Sequence, residues 1–238
     1  MRWDSAAIFG ASGGIGAAMA MALAGEGTQV FAGSCSGYVP EHANIEPFRF
    51  NLTDEKSIEV AVEPWKDAPP ELVVVASGVL TLPDGTGPER SFRHVEPAAM
   101  AQMFALNTVG PALIAKHVLP LFPRDRASTF AALSARVGSI SDNRIGGWHS
   151  YRASKAALNM LIRNYAIEMG RTHKQAIIAG LHPGTVDTAL SEPFQKNLPD
   201  GQLTDADQAA SNLIGVLAGL SPETSGDVFD WKGERVPE

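Results

Sequence analysis

Two kinds of apolar run alternate along the chain. Short continuous runs occupy 5–10 (SAAIFG), 28–33 (TQVFAG), 45–50, 72–76 (LVVVA), 128–133, 175–181 (QAIIAGL) and 227–230. Their length and their Gly/Pro punctuation predict buried strands. Between them lie longer stretches that predict helices at 15–24, over TDEKSIEVAVEPW with a cap at Thr53, and at 98–121, 150–170 and 205–220. Residues 34–44, broken by Gly37 and Pro40, predict no helix, and 81–97 and 134–148 read as loops. Strands apolar throughout and separated by helices predict a parallel sheet covered on both faces. The pattern is that of a doubly wound α/β fold of about seven strands. No linker or repeat divides it, so residues 1–238 are expected to form a single domain.

Candidate chemistry gathers at three places in this frame. Gly10-Ala-Ser12-Gly-Gly14-Ile15-Gly16 joins the first strand to the first helix. Glycines there permit a tight turn and close approach of a pyrophosphate to free helix N–H groups. At the start of the fifth helix, HSYRASKAALNML sets Tyr151 and Lys155 one turn apart on the same face. A buried ammonium is costly unless paired or used, so Lys155 is either a surface lysine beside a packed tyrosine or half of a catalytic pair. Asn107 precedes Pro111 by four residues. Proline has no N–H for the carbonyl of residue 107 to accept from, which leaves that carbonyl for a water or simply kinks the helix.

Composition narrows the field. With 45% hydrophobic and 19% charged residues, the 238-residue chain is globular, and no stretch is read as a membrane span. The N-terminus runs directly into a strand, and a cytoplasmic protein is expected. A net charge of −7 disfavours nucleic acid or an anionic membrane as partner. The single cysteine, Cys35, excludes an internal disulfide and a cysteine-rich metal site, and no metal is expected.

Taken in order, GASGGIG at 10–16, NLTD at 51–54, ASG at 76–78, LNTVGP around Asn107, YRASK at 151–155 and HPGTVDT at 182–188 resemble the short-chain dehydrogenase/reductase family over essentially the whole chain. GSISDN followed by GGWHSYRASKAALNM, and the missing helix between the second and third strands, are most similar to the branch of sniffer-type carbonyl reductases and C-factor-type proteins. The resemblance implies a Rossmann-type fold, a nicotinamide cofactor and a small-molecule carbonyl or alcohol substrate. It makes Tyr151 the general acid in reduction, with Lys155 and the oxidised nicotinamide lowering its pKa. Lys155 would also hold the nicotinamide ribose, and Asn107 would anchor a relay water. It assigns to the cofactor Gly10, Ser12, Gly14, Ile15, Gly16, Ser34, Asn51, Leu52, Ala76, Ser77, Gly78, Tyr151, Lys155, Pro183, Gly184, Val186 and Thr188.

Where the family ends its fifth strand with two hydroxyl residues, this chain has Ser134 and then Ala135. Ser134 is the first candidate for the hydrogen bond to the substrate carbonyl, and Ser139 and Ser141 are alternatives. Position 33, where an acid would bind the adenosine 2′-hydroxyl of NAD(H), is glycine, followed by Ser34, Cys35 and Ser36. NADP(H) is therefore expected over NAD(H), though neither this stretch nor the glycine loop carries a cation. Trp148 and His149, just before Tyr151, either face the pocket or serve a structural role in the loop, and ALSEPFQKNLPDGQ, with Phe194 and Leu198, resembles a substrate-covering loop. Surplus apolar surface on helices 98–121 and 150–170 predicts a homodimer or homotetramer. A rival reading, a dinucleotide-binding regulatory protein with little turnover, draws on Ala135. Alcohol oxidation in the reverse direction uses the same residues as carbonyl reduction.

Overall fold

The computed structural model describes residues 3–197 and 202–238, so Leu198 lies outside the described residues. Strands β1 (Ser5–Phe9), β2 (Gln29–Ser34), β3 (Ile45–Arg49), β4 (Leu72–Val75), β5 (Ser128–Leu133), β6 (Ala176–His182) and β9 (Val228–Asp230) form one sheet in the order β3-β2-β1-β4-β5-β6-β9. Every neighbouring pair in it is parallel. The chain builds outward from β1 to β3, returns to β4 and builds the other way. Between β1 and β4 the order reverses, and a crevice opens there beyond the strands' carboxyl ends. The doubly wound seven-stranded sheet expected from the sequence is present.

Both faces of the sheet are covered. Ile8, Val74, Ala131 and Leu181 pack beneath helices α1 (Gly14–Gly25) and α6 (Ala206–Gly219). Phe9, Val75, Phe130 and Ile178 face the other side, under α2 (Glu55–Val62), α4 (Gly110–Val118) and α5 (His149–Thr172). Because successive strand residues point to opposite faces, a strand buried on both sides must be apolar throughout, as the LVVV of β4 is. At the β3 edge Phe9 meets Phe48 edge-on at 5.1 Å, and Phe48 meets Trp65 at 5.4 Å.

The structure revises several expectations. The cap of α2 is Asp54, whose carboxylate accepts from Lys56 N at 3.1 Å and Ser57 N at 3.4 Å. Thr53 donates its hydroxyl to Asn51 instead. The helix expected over 98–121 is α3 (Pro97–Phe104), a π turn (Ala105–Val109), α4 and a closing 3₁₀ turn. The missing N–H of Pro111 breaks the regular ladder, and Gly110 N reaches back five residues to Ala105 O. This run, Pro97–Leu121, is also long and apolar enough to span a membrane, with mean hydropathy 1.3 over its most apolar window, contrary to the expectation of no such stretch. It packs along α5 and carries Asn107 into the interior, as a core helix does. Two short strands unforeseen in the sequence, β7 (Thr185–Val186) and β8 (Leu203–Thr204), pair in parallel beyond β6.

Candidate active site

A cleft of about 430 Å³ opens at the reversal point between β1 and β4. Its floor is the glycine loop. Gly10 has φ +98°, and a Cβ there would lie 2.8 Å from Ser77 N. A Cβ at Gly16 would overlap the Gly10 carbonyl oxygen, and one at Gly14 would lie 2.6 Å from Thr188 Cγ2. No side chain caps α1 at Gly13, so its first N–H groups remain available to an anion. A glycine cradle with uncapped N–H groups at a helix start fits a dinucleotide pyrophosphate.

Gly14, Ile15 and Gly16 line one side of the cleft, with Ala76, Ser77 and Gly78 following β4. Pro183, Gly184, Val186 and Thr188 close it from the β6 side, and Tyr151 and Lys155 from α5. Gly10 shapes the loop from beneath, and Ser12 is exposed on it. Others lie apart from these walls. Leu52 packs against Gly110, and Asn51 spends its side-chain carbonyl on Thr53 N and Oγ1. Ser34 is buried and donates its hydroxyl to Tyr38 O at 2.9 Å.

Tyr151 and Lys155 are both buried. Lys155 Nζ donates to Leu133 O at 2.8 Å and stands 5.8 Å from the centre of the Tyr151 ring. Burial pushes the Tyr151 phenol up to about 12 and draws the Lys155 ammonium down to about 8. The lysine was expected to lower the phenol, but within the protein alone desolvation prevails, because the ammonium is turned to the Leu133 carbonyl. Gly78 brings the groups together: a Cβ there would lie 3.1 Å from Asn107 Oδ1 and 3.3 Å from Lys155 Nζ.

Asn107 is fully buried in the π turn and clamps the chain leaving β4. Its Oδ1 accepts from Val79 N and its Nδ2 donates to Val79 O, each at 2.8 Å, with a further 3.3 Å contact from Nδ2 to Ser154 Oγ. Asn107→Ala strands both Val79 groups, which costs about 2 kcal/mol or more. The melting temperature should fall by roughly 4–8 °C; an unchanged thermal unfolding midpoint would show that the clamp is dispensable.

Ser134 lines the cleft, but its Oγ donates to Asn159 Oδ1 at 2.5 Å. Ala135 lines the cleft beside it. Of the alternatives, Ser139 is buried, accepting from Asp142 N and facing Glu238 O, while Ser141 is exposed. None of the three hydroxyls is free and aimed at the cleft. His182 also lines the cleft, and burial pulls it down to about 4, with Asp230 opposing, so the ring is neutral.

The start of α5 is held from outside the helix. Trp148 takes the left-handed conformation (φ +51°), and its N–H donates to Glu89 O. The Glu89 carboxylate accepts from Ser150 N at 3.1 Å and from Ser150 Oγ, doing the work of a helix cap one residue before Tyr151. Partial burial opposes ionisation of Glu89, but these bonds hold its carboxyl below the usual range. Trp148 stacks edge-on against Tyr151 at 6.2 Å and Phe194 at 5.2 Å, forming the apolar wall of the cleft. His149 follows Trp148 as the first helical residue. Glu89 was missed because its partner lies 61 residues away.

Residues 4–199 match the family model described as short chain dehydrogenase. The protein "C-signal" of Myxococcus xanthus is 34% identical over 143 residues, covering 60% of this chain and 81% of that protein. The 1-hydroxy-2-glutathionyl-2-methyl-3-butene dehydrogenase of a Rhodococcus strain is 36% identical over 121 residues, about half of each chain. Among solved structures, NADPH-bound carbonyl reductase from chicken fatty liver superimposes with a TM-score of 0.84 at 24% identity, over 100% of this chain and 95% of that one. Carbonyl reductase Sniffer of D. melanogaster gives 0.84 at 20% identity, over 99% of each. At such identities these two establish the fold.

Proposed function

The chain belongs to the short chain dehydrogenase family, and from that premise we propose that it is a carbonyl reductase that uses NADPH and Tyr151 to turn a small-molecule aldehyde or ketone into an alcohol. The observation that carries the reading is the convergence of Tyr151, Lys155 and Gly78 beside a glycine cradle in one cleft, with Asn107 buried directly behind Gly78. When bound, the nicotinamide supplies the hydride. The cradle residues Gly10–Gly16 hold the pyrophosphate on the free N–H groups of α1, and Lys155 holds ribose hydroxyls. Tyr151 gives its phenolic proton to the substrate oxygen as charge develops there. Lys155 returns a proton to the phenolate, and Asn107 anchors the water that links Lys155 to solvent. Trp148 and Phe194 keep bulk water from the substrate side.

Ser134 polarises the same oxygen only by releasing Asn159, so Tyr151 carries the larger share. That feature also favours the second reading, a dinucleotide-dependent regulatory protein with slow turnover. The relationship to C-signal and the absence of a hydroxyl at Ala135 support it. The intact Tyr151, Lys155 and Asn107 weigh against it, because binding alone needs no proton donor. Turnover of NADPH with carbonyl compounds, measured on the purified protein, separates the two. The single exposed cysteine, Cys35, is compatible with a reducing cytoplasm.

The protein is further proposed to pair with a second copy through the long helices. Val109, Met160 and Ile167 are exposed there, the last two one heptad apart on α5. Light scattering at micromolar concentration should give a dimer or tetramer, and Met160→Asp combined with Ile167→Asp should yield monomers. A monomeric wild type overturns this.

A further inference from the structure

We propose that Arg49 recognises the adenosine 2′-phosphate of NADPH, reaching it from β3, and that Phe48 excludes the carboxylate that would favour NADH. The inference rests on the cofactor reading above and names the residues that decide its specificity.

In doubly wound folds the adenosine ribose lies beyond the end of the second strand. Here that end is tied to the cradle, because Gly33 O accepts from both Gly10 N and Ala11 N at 2.9 Å. The sequence offers no cation between Gly33 and Pro40, nor in the glycine loop. It offers no carboxylate there either, and the structure supplies the reason at the key position. A Cβ on Gly33 would run into the edge of the Phe48 ring. That ring cannot step aside cheaply, since Phe9 and Trp65 hold it edge-on at 5.1 and 5.4 Å. Phe48 therefore keeps position 33 without a side chain.

The missing charge arrives through strand pairing. The β2–β3 register sets Arg49 opposite Ser34. From there the guanidinium crosses the turn that follows β2, and Nη2 donates to Ser36 O at 2.6 Å. Gly37 admits it, with φ +79°; a Cβ at that position would collide with Arg49 Nε and come within 3.1 Å of Nη2. The turn is closed on itself, Ser34 Oγ donating to Tyr38 O and Tyr38 N donating to Ser36 Oγ at 3.1 Å. Among the described residues no carboxylate pairs with Arg49, and the side chain is exposed. One of its donors fixes it to the turn. The rest of the planar fork remains for a dianionic phosphate, a match that lysine makes less well.

Isothermal titration of NADPH and NADH into the wild type, Arg49→Gln and Arg49→Lys tests this. The wild type should bind NADPH more tightly than NADH. Arg49→Gln should weaken NADPH by about tenfold to hundredfold, the scale of a charge-assisted hydrogen-bond pair, and leave NADH within about twofold. Arg49→Lys should recover part of the loss, because it keeps the charge and loses the fork. Equal weakening of both cofactors overturns the proposal, since Arg49 would then only brace the turn; so does an unchanged NADPH affinity. A wild type that binds neither cofactor refutes the dinucleotide reading itself, and does so before any variant is compared.

Discussion

Tyr151→Phe should lower kcat for carbonyl reduction by about 100-fold or more, the range in which loss of a positioned general acid falls, while sparing most of the NADPH affinity. The phenol, held near 12 by burial, stays protonated across the neutral range, so the acid is loaded whenever substrate arrives. No neighbour takes over its task. The Ser134 hydroxyl donates to Asn159 Oδ1, Ala135 has no hydroxyl, and the Lys155 ammonium is turned to Leu133 O. Phenylalanine keeps the ring that packs against Trp148, and the variant should fold. A loss smaller than tenfold, read from steady-state rates, would mean that another group delivers the proton.

Gly16→Ala should be as damaging to binding as Tyr151→Phe is to chemistry. The added methyl overlaps the Gly10 carbonyl oxygen, which belongs to backbone and can yield only if the loop moves. Moving the loop displaces the pyrophosphate from the α1 N–H groups, and losing two charge-assisted contacts raises the NADPH dissociation constant by about 100-fold. Gly25→Ala provides the contrast within the same helix. Among the described residues, no atom beyond its chain neighbours and its own helix backbone lies within 4 Å of the place its methyl would take, so NADPH affinity should be unchanged and stability equal or slightly higher. Equal affinities for wild type and Gly16→Ala would contradict the cradle.

Most of the sheet could be read from the sequence because its strands are apolar throughout. Ser128–Leu133 appears with the bounds that pattern gave. The paired strands Thr185–Val186 and Leu203–Thr204 could not, since two residues carry no periodicity and their partners are joined only by folding. The cap of α2 shifted from Thr53 to Asp54 because both are capping residue types and only geometry decides between them. At the site, most residues assigned by local motif line one cleft, whereas Ser34, Asn51 and Leu52 lie apart from it, and residues defined by contact did not announce themselves. Ser134 stands where a hydroxyl was wanted, but its side chain is directed to α5 and Asn159. Arg49 is fifteen residues from Ser34 and reaches the turn after β2 through register alone. Glu89 caps α5 from a loop that composition marks only as irregular.

The most direct test of the account is NADPH oxidation by the purified wild type against aldehydes, ketones, quinones and dicarbonyls, with the alcohol product quantified in parallel. The account predicts that at least one class is reduced, one NADPH being consumed for each alcohol formed. Tight NADPH binding with no consumption across all four classes would contradict it and leave the regulatory reading in its place.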